Sequence, residues 1–225
     1  MHADGLTPDE RQTQMSLWAL AASPLILGTD LTGLTALTGG QPATATETFT
    51  DNGAEPVRHV QLSLSAPAGW TVTATSAASF SSVGAGQSVQ TTFQVVAPPP
   101  ATLFKSDTVT ATAMDRWDLV IPQQISESET VTTSPPVGAP YQTYSSATDA
   151  PAAFAEAGQQ FGIDGAGADL YSGSDAYSTI YLKGAVGSAS TVVTEVTSQQ
   201  GMTGFAKAGI MVRNDITGSG TSRRA

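Results

Sequence analysis

At 225 residues the chain has room for one or two ordinary domains. Its formal net charge is −10 and its pI about 4.3, so it repels phosphate backbones and anionic lipid, which argues against nucleic-acid and membrane partners. Cysteine is absent, which removes disulfides, thiolate metal sites and cysteine nucleophiles together.

Charged residues make up only 12% of the chain, with 22 Gly and 13 Pro among abundant Thr and Ser. Such a composition favours short strands joined by turns over long helices, whose surfaces are usually rich in Lys, Glu and Arg. The start Met1-His2-Ala3-Asp4-Gly5 has neither the basic residues nor the apolar core of a signal peptide. Leu17 to Leu27, broken at Ser23-Pro24, is too short to span a bilayer.

Residues 1–36 read as one helix followed by one buried strand. Thr7 can cap, Pro8 suits the first helical position and Glu10 completes a capping box. Pro24 stops the helix near Ser23, and Leu25-Ile26-Leu27-Gly28 has the unbroken apolar character of a strand covered on both faces. Helix then buried strand is the repeating unit of an α/β barrel.

Residues 37–134 change period. Val60, Leu62 and Leu64 alternate with Gln61 and Ser63, and Val89, Thr91, Phe93 and Val95 alternate with Gln90, Thr92 and Gln94. Asp51-Asn52-Gly53, Pro67-Ala68-Gly69 and Gly84-Ala85-Gly86 supply turns. Strands are expected near 43–50, 57–65, 69–75, 87–97, 106–114 and 127–133, arranged as an immunoglobulin-like antiparallel β-sandwich. Ser134-Pro135-Pro136-Val137-Gly138 opens a linker over 135–139.

Residues 140–225 are again β-rich. Ile180-Tyr181-Leu182, Val192 to Val196 and Ala208 to Val212 are the clearest strands, whereas Ala152 to Ala157 suits a strand or a short helix.

The stretch Gln12-Thr13-Gln14-Met15-Ser16-Leu17-Trp18-Ala19, with Ala22-Ser23-Pro24-Leu25-Ile26-Leu27-Gly28-Thr29-Asp30-Leu31, resembles the α-galactosidase (melibiase) family of glycoside hydrolases. There this helix and strand close the catalytic TIM barrel, which would make residues 1–36 a barrel remnant. Val60-Gln61-Leu62-Ser63-Leu64, Ala66-Pro67-Ala68-Gly69-Trp70-Thr71-Val72 and Gly86-Gln87-Ser88-Val89 resemble the NPCBM-associated, or NEW, domain of α-galactosidases. Ala176-Tyr177-Ser178-Thr179-Ile180-Tyr181 and Lys207-Ala208-Gly209-Ile210-Met211-Val212-Arg213 look like part of a concanavalin-type jelly roll. The fold expected is therefore mostly β: a sandwich and an incomplete jelly roll, preceded by one α/β unit.

The resemblance implies a secreted, extracellular parent, an α-galactoside-containing polysaccharide as partner, and no cofactor. Its catalytic aspartates belong to earlier barrel strands, one in a Lys-x-Asp motif, so no catalytic residue carries over to this chain. The small β-domain that follows the barrel in the family is skipped as well. A retaining glycosidase needs two carboxylates about 5–5.5 Å apart, and a barrel needs roughly 250 residues to place them. The expectation is thus an accessory, non-catalytic region, with a stand-alone carbohydrate-binding or spacer sandwich as the competing reading.

The strongest candidate for sugar contact is Asp115-Arg116-Trp117-Asp118, two acids flanking an aromatic ring, against the plainer reading of a strand-end loop. Trp70 carries the same two readings, sugar face or core, and its place after a Pro-Ala-Gly turn favours the sandwich core. Asp164-Gly165-Ala166-Gly167-Ala168-Asp169 reads as a turn rather than a calcium loop, since it lacks the oxygen spacing of an EF-hand. His2 and His59 are solitary, so no metal site is expected. Lys207 and Arg213 are assigned to a sheet face. Deleting residues 1–36 is expected to improve solubility by removing apolar side chains that lack their barrel neighbours.

Overall fold

The computed structural model describes residues 27–117, 121–146, 152–165, 170–171, 174–184, 186–187, 189–200 and 206–216. The chain divides into two units at the Ser134-Pro135 step.

Unit one is a β-sandwich built from two sheets. Strands β1 (Leu27–Thr32), β3 (Pro42–Asp51), β7 (Ser88–Val96) and β5 (Thr71–Ala74) form one, in the order β1-β3-β7-β5. The other holds β2 (Ala36–Thr38), β9 (Ile121–Ser134), β8 (Lys105–Trp117), β4 (Val57–Ser65) and β6 (Ser79–Val83), in the order β2-β9-β8-β4-β6. Every pairing is antiparallel except β2 against β9. The chain enters along one sheet as β1, bends at Gly33, and joins the other as β2.

Period-two alternation decides what faces inward. On β8, Val109, Ala111, Ala113 and Asp115 are buried, while Met114 and Arg116 are exposed. On β3, Ala45, Glu47, Phe49 and Asp51 point in, and Thr residues occupy the positions between. The inner faces meet in two clusters. Leu31, Leu34, Leu37, Phe93, Val95, Val109 and Val131 form one, and Phe49, Val57, Val60, Leu62, Val83 and Ala113 form the other.

One irregularity in β4 matters for the alternation. Val57 and Val60 are three apart, yet both are buried. A register shift between Arg58 and Gln61 accommodates the extra residue, and His59 takes φ 52°. This is the geometry of a β-bulge, which resets the parity so that Val60, Leu62 and Leu64 can face the core.

Gly39 and Gly33 mark close backbone approaches. A Cβ on Gly39 would come 2.3 Å from Pro99 Cα, and one on Gly33, at φ 98°, would come 2.5 Å from the Thr44 carbonyl oxygen. Both contacts lie below any real van der Waals separation, so only glycine fits without a backbone shift.

The α/β unit expected over residues 1–36 finds no support. Its helix lies outside the described residues. Leu25 and Ile26 of its strand lie outside the described residues as well, and Leu27–Thr32 pairs antiparallel with β3 as part of the sandwich. Leu31 and Leu34, 6% and 0% exposed, belong to the sandwich core, because that core supplies apolar cover next to β1 that no barrel is needed to provide. The sandwich therefore begins before residue 37.

Unit two contains, among its described residues, three two-stranded antiparallel pairings. These join β10 (Gln142–Ser145) to β15 (Ser178–Tyr181), β11 (Ala153–Ala157) to β12 (Gln160–Asp164), and β13 (Leu170–Tyr171) to β14 (Ser174–Asp175). Ala153–Ala157 is thus strand rather than helix: its pairing with β12 outweighs alanine's helical preference. The strands expected at 192–196 and 208–212 do not form, and Val192, Val193, Val196, Ile210, Met211 and Val212 stay exposed. Tyr177 packs at the Arg213 guanidinium, whose Cζ lies 5.2 Å from the ring centroid, and its hydroxyl donates to the Ile216 carbonyl.

Candidate functional site

Three places in the sandwich gather polar or aromatic groups: the interior around Asp115, a cavity beside the β4 bulge, and a groove at the turn that carries Trp70.

Asp115 follows the inward parity of β8 and is 3% exposed. Neither of its carboxylate oxygens has a hydrogen-bond partner. Burial, and secondarily the negative charge of Asp51, raise its pKa above the ordinary value of 3.8. Asp51, fully buried at the end of β3, is anchored differently. Its Oδ1 accepts from the Gly53 N–H at 2.9 Å and its Oδ2 from the Val57 N–H at 3.3 Å. Its own N–H donates to the Gln87 carbonyl, and its carbonyl accepts from the Gly86 N–H. Asp51 thereby ties the 52–56 loop to the 84–87 turn.

Of the trio proposed for sugar contact, Asp115 alone has a described side chain. Asp115 turns into the sandwich, because the parity set by Val109, Ala111 and Ala113 places it there. Trp117 ends β8, where its backbone pairs with Ile121. Asp118 lies outside the described residues, as do His2 and the 166–169 part of the Asp164–Asp169 turn. Lys207 is exposed, and Arg213 stacks on Tyr177.

A cavity of about 470 Å³ opens on the outer side of β4 and β6, lined by His59, Gln61, Ser79, Phe80, Ser81 and Arg116. The bulge brings His59 to its wall. No group of three or more His, Asp or Glu side chains suited to a metal ion occurs among the described residues.

The groove is larger, about 510 Å³, and its walls come from segments far apart in sequence. One wall is the turn Pro67-Ala68-Gly69-Trp70, closed by the Trp70 N–H donating to the Pro67 carbonyl at 3.2 Å. Gly69 holds φ 89° at its third position, as a type II turn requires. Pro98-Pro99-Pro100 lines the groove beside the turn, fixed by the close Gly39 approach and by the Gly40 N–H bonding to the Ala97 carbonyl at 2.7 Å. The floor carries Lys105, Asp107 and Thr133. Lys105 Nζ donates to Asp107 Oδ1 at 2.6 Å, with side chains 54% and 10% exposed. Trp70 is half-buried and packs against the leucine-rich cluster, so it serves the core and lines the groove together. The sequence offers both a core place and a sugar-facing one for Trp70 and favours the core.

Unit one is thus defined by its fold as a two-sheet β-sandwich domain. Residues 37–115 match the model of the NPCBM-associated, NEW3 domain of alpha-galactosidase, which supports a domain of that kind in this part of the chain. No curated protein matches the chain. Among solved structures, native alpha-2-macroglobulin from E. coli is 16% identical, with 57% of this chain and 8% of that one covered at a TM-score of 0.41. The secreted serine protease VesC from Vibrio cholerae is 12% identical over 53% of this chain and 25% of its own, at 0.33. The YadV chaperone is likewise 12% identical, over 71% of this chain and 87% of its own, at 0.33. The chain spans less than a tenth of the macroglobulin.

Proposed function

We propose that this chain is an accessory, non-catalytic region of a secreted α-galactosidase-like glycoside hydrolase. The observation that carries the reading is the match of residues 37–115 to the NEW3 domain, falling on the strands that form the sandwich. The geometry is compatible with it. Glycoside hydrolysis needs two carboxylates on either side of an accessible sugar bond. Asp51 and Asp115 are near enough to interact, but they face the interior, and the groove presents one carboxylate, Asp107. The sandwich then acts as a module beside a catalytic domain, with neutral α-galactoside-containing polysaccharide as the substrate of the whole.

The test has two arms. The purified chain is incubated with a chromogenic α-galactoside, and release of the chromophore at the buffer rate is expected. The coding DNA on either side is read for a frame encoding a glycosidase barrel. Measurable turnover by this chain would overturn the non-catalytic assignment, and flanking DNA with no hydrolase frame would overturn the accessory one.

A further inference from the structure

We infer that the groove lined by the Trp70 turn and Pro98-Pro99-Pro100 is a binding subsite for a neutral pyranose unit of a glycan. The inference rests on the accessory reading above and names where such a module would touch polysaccharide.

Three properties of the groove point to a sugar. The first is an aromatic wall. The indole face carries a negative quadrupole, and the ring C–H groups on one side of a pyranose carry the complementary partial charge. Second, the walls are rigid. Prolines line the groove beside a hydrogen-bonded turn with Gly69 at φ 89°, so little conformational freedom is lost when a ligand settles against them. Third, the floor offers a donor and an acceptor side by side. Lys105 Nζ and Asp107 Oδ1 are 2.6 Å apart. Their contact uses one of three ammonium protons and leaves lone pairs on both Asp107 oxygens. A hydroxyl both donates and accepts, so two neighbouring sugar hydroxyls can satisfy both groups at once.

A proline-rich peptide is the natural rival for a groove with a tryptophan wall. Its backbone offers mainly carbonyl acceptors and few donors, so the lone pairs of Asp107 that Lys105 leaves open receive no proton from the ligand. Acidic glycans are disfavoured by the net charge of −10. The cavity volume of about 510 Å³ falls within the range of small-ligand sites, which runs from about 300 to 1,000 Å³.

The experiment is native affinity electrophoresis of the full chain in gels containing galactomannan, with a polyuronate gel as the anionic control. Trp70→Phe, Lys105→Ala and Asp107→Asn are run beside the parent, each checked by circular dichroism. Lys105 is more than half exposed, so its replacement leaves the core untouched. The expected result is retardation in galactomannan and none in polyuronate. Each replacement is expected to weaken retardation by about tenfold, the factor for losing one charged hydrogen bond or one aromatic contact of about 1.4 kcal/mol. Equal retardation of parent and all variants would show that glycan binds elsewhere; the groove assignment falls and the accessory reading stands. Absence of retardation would also overturn the groove assignment, with the hydrolysis and DNA tests still deciding the accessory reading. Titration of a proline-rich decapeptide, followed by calorimetry, completes the set: binding lost in Trp70→Phe, without glycan retardation, would give the groove to peptide.

Discussion

Asp51 acts on Asp115 across the interior of the sandwich, and the two carboxyl groups are held on unlike terms. Asp51 accepts hydrogen bonds from Gly53 and Val57, whereas both Asp115 oxygens are buried and unpartnered. Burial and the Asp51 charge together favour the protonated form of Asp115.

This fixes the sign of a pH effect. Unfolded, Asp115 titrates near 3.8; folded, it keeps its proton to higher pH. Between those two values the native state binds more protons than the unfolded state, so stability falls as pH rises through the window. Below the unfolded value both states are protonated and the contribution is complete. Asp115→Asn, neutral at every pH, removes the dependence. It is expected to track the parent at low pH and to exceed its stability at pH 7, where the parent must carry a buried carboxylate beside Asp51 and the amide carries no charge. Urea unfolding of both proteins at several pH values reads the difference. A gap that does not widen with pH contradicts the account.

Parity along β8 shows how much of this was legible in the sequence. Val109, Ala111 and Ala113 alternate cleanly, and counting two further residues puts Asp115 inside. Met114 on the outer face and Trp117 nearby make the stretch look like a loop when it is read for composition instead. The six strands expected in the sandwich are all present because their alternation is strong, although β8 runs on to Trp117 and β9 begins at Ile121, six residues before its expected start. Two were missed. Ser79–Val83 has two apolar residues among serines, and Ala36–Thr38 is too short for periodicity to register. Leu27–Thr32 overlaps the strand expected at Leu25–Gly28, but the apolar run there favoured a barrel strand covered on both faces over a sandwich edge. The groove was out of reach, since Trp70 and Pro98–Pro100 are brought together only by tertiary packing.

The Gly39–Pro99 approach gives a second prediction. Gly39→Ala places a methyl group 2.3 Å from Pro99 Cα and 2.7 Å from its nitrogen, both backbone atoms that cannot rotate away. The adjoining strands must shift, at a cost of about 1–3 kcal/mol as in other overpacked sites. Gly86→Ala is the control. Gly86 has positive φ, at 71°, where Gly39 does not, and its Cβ would meet nothing within 4 Å. It is expected to cost about 1 kcal/mol from backbone strain alone. Thermal unfolding should rank the parent above Gly86→Ala and Gly86→Ala above Gly39→Ala; equal losses would mean that the Pro99 contact is relieved elsewhere.

In unit two, Val193 is 87% exposed, with Val192, Val196 and Ile210 at 53%, 50% and 50%. Apolar side chains left open to water in this way favour association. Replacing Val193 and Ile210 with Lys adds charge and removes apolar surface without disturbing a strand. Light scattering at rising concentration is expected to show less self-association for the double variant than for the parent. The same association in both proteins would assign it to another surface.

The N-terminal boundary reverses the solubility effect expected from sequence. Leu31 and Leu34 are core residues of the sandwich, and β1 covers the free edge of β3. Removing residues 1–36 takes away both leucines and leaves the backbone of β3 unpaired along that edge, an invitation to intermolecular pairing. A chain starting at Leu27 keeps all of these contacts. Leu34→Ala alone is expected to cost about 2–5 kcal/mol, the range for a fully buried leucine. The longer deletion should cost at least as much and lower solubility, whereas the chain starting at Leu27 should keep the sandwich's cooperative unfolding. Denaturant melts and centrifugation of the two truncations separate the outcomes. If the chain starting at residue 37 unfolds as cooperatively as the parent, Leu31 and Leu34 do not hold the sandwich together.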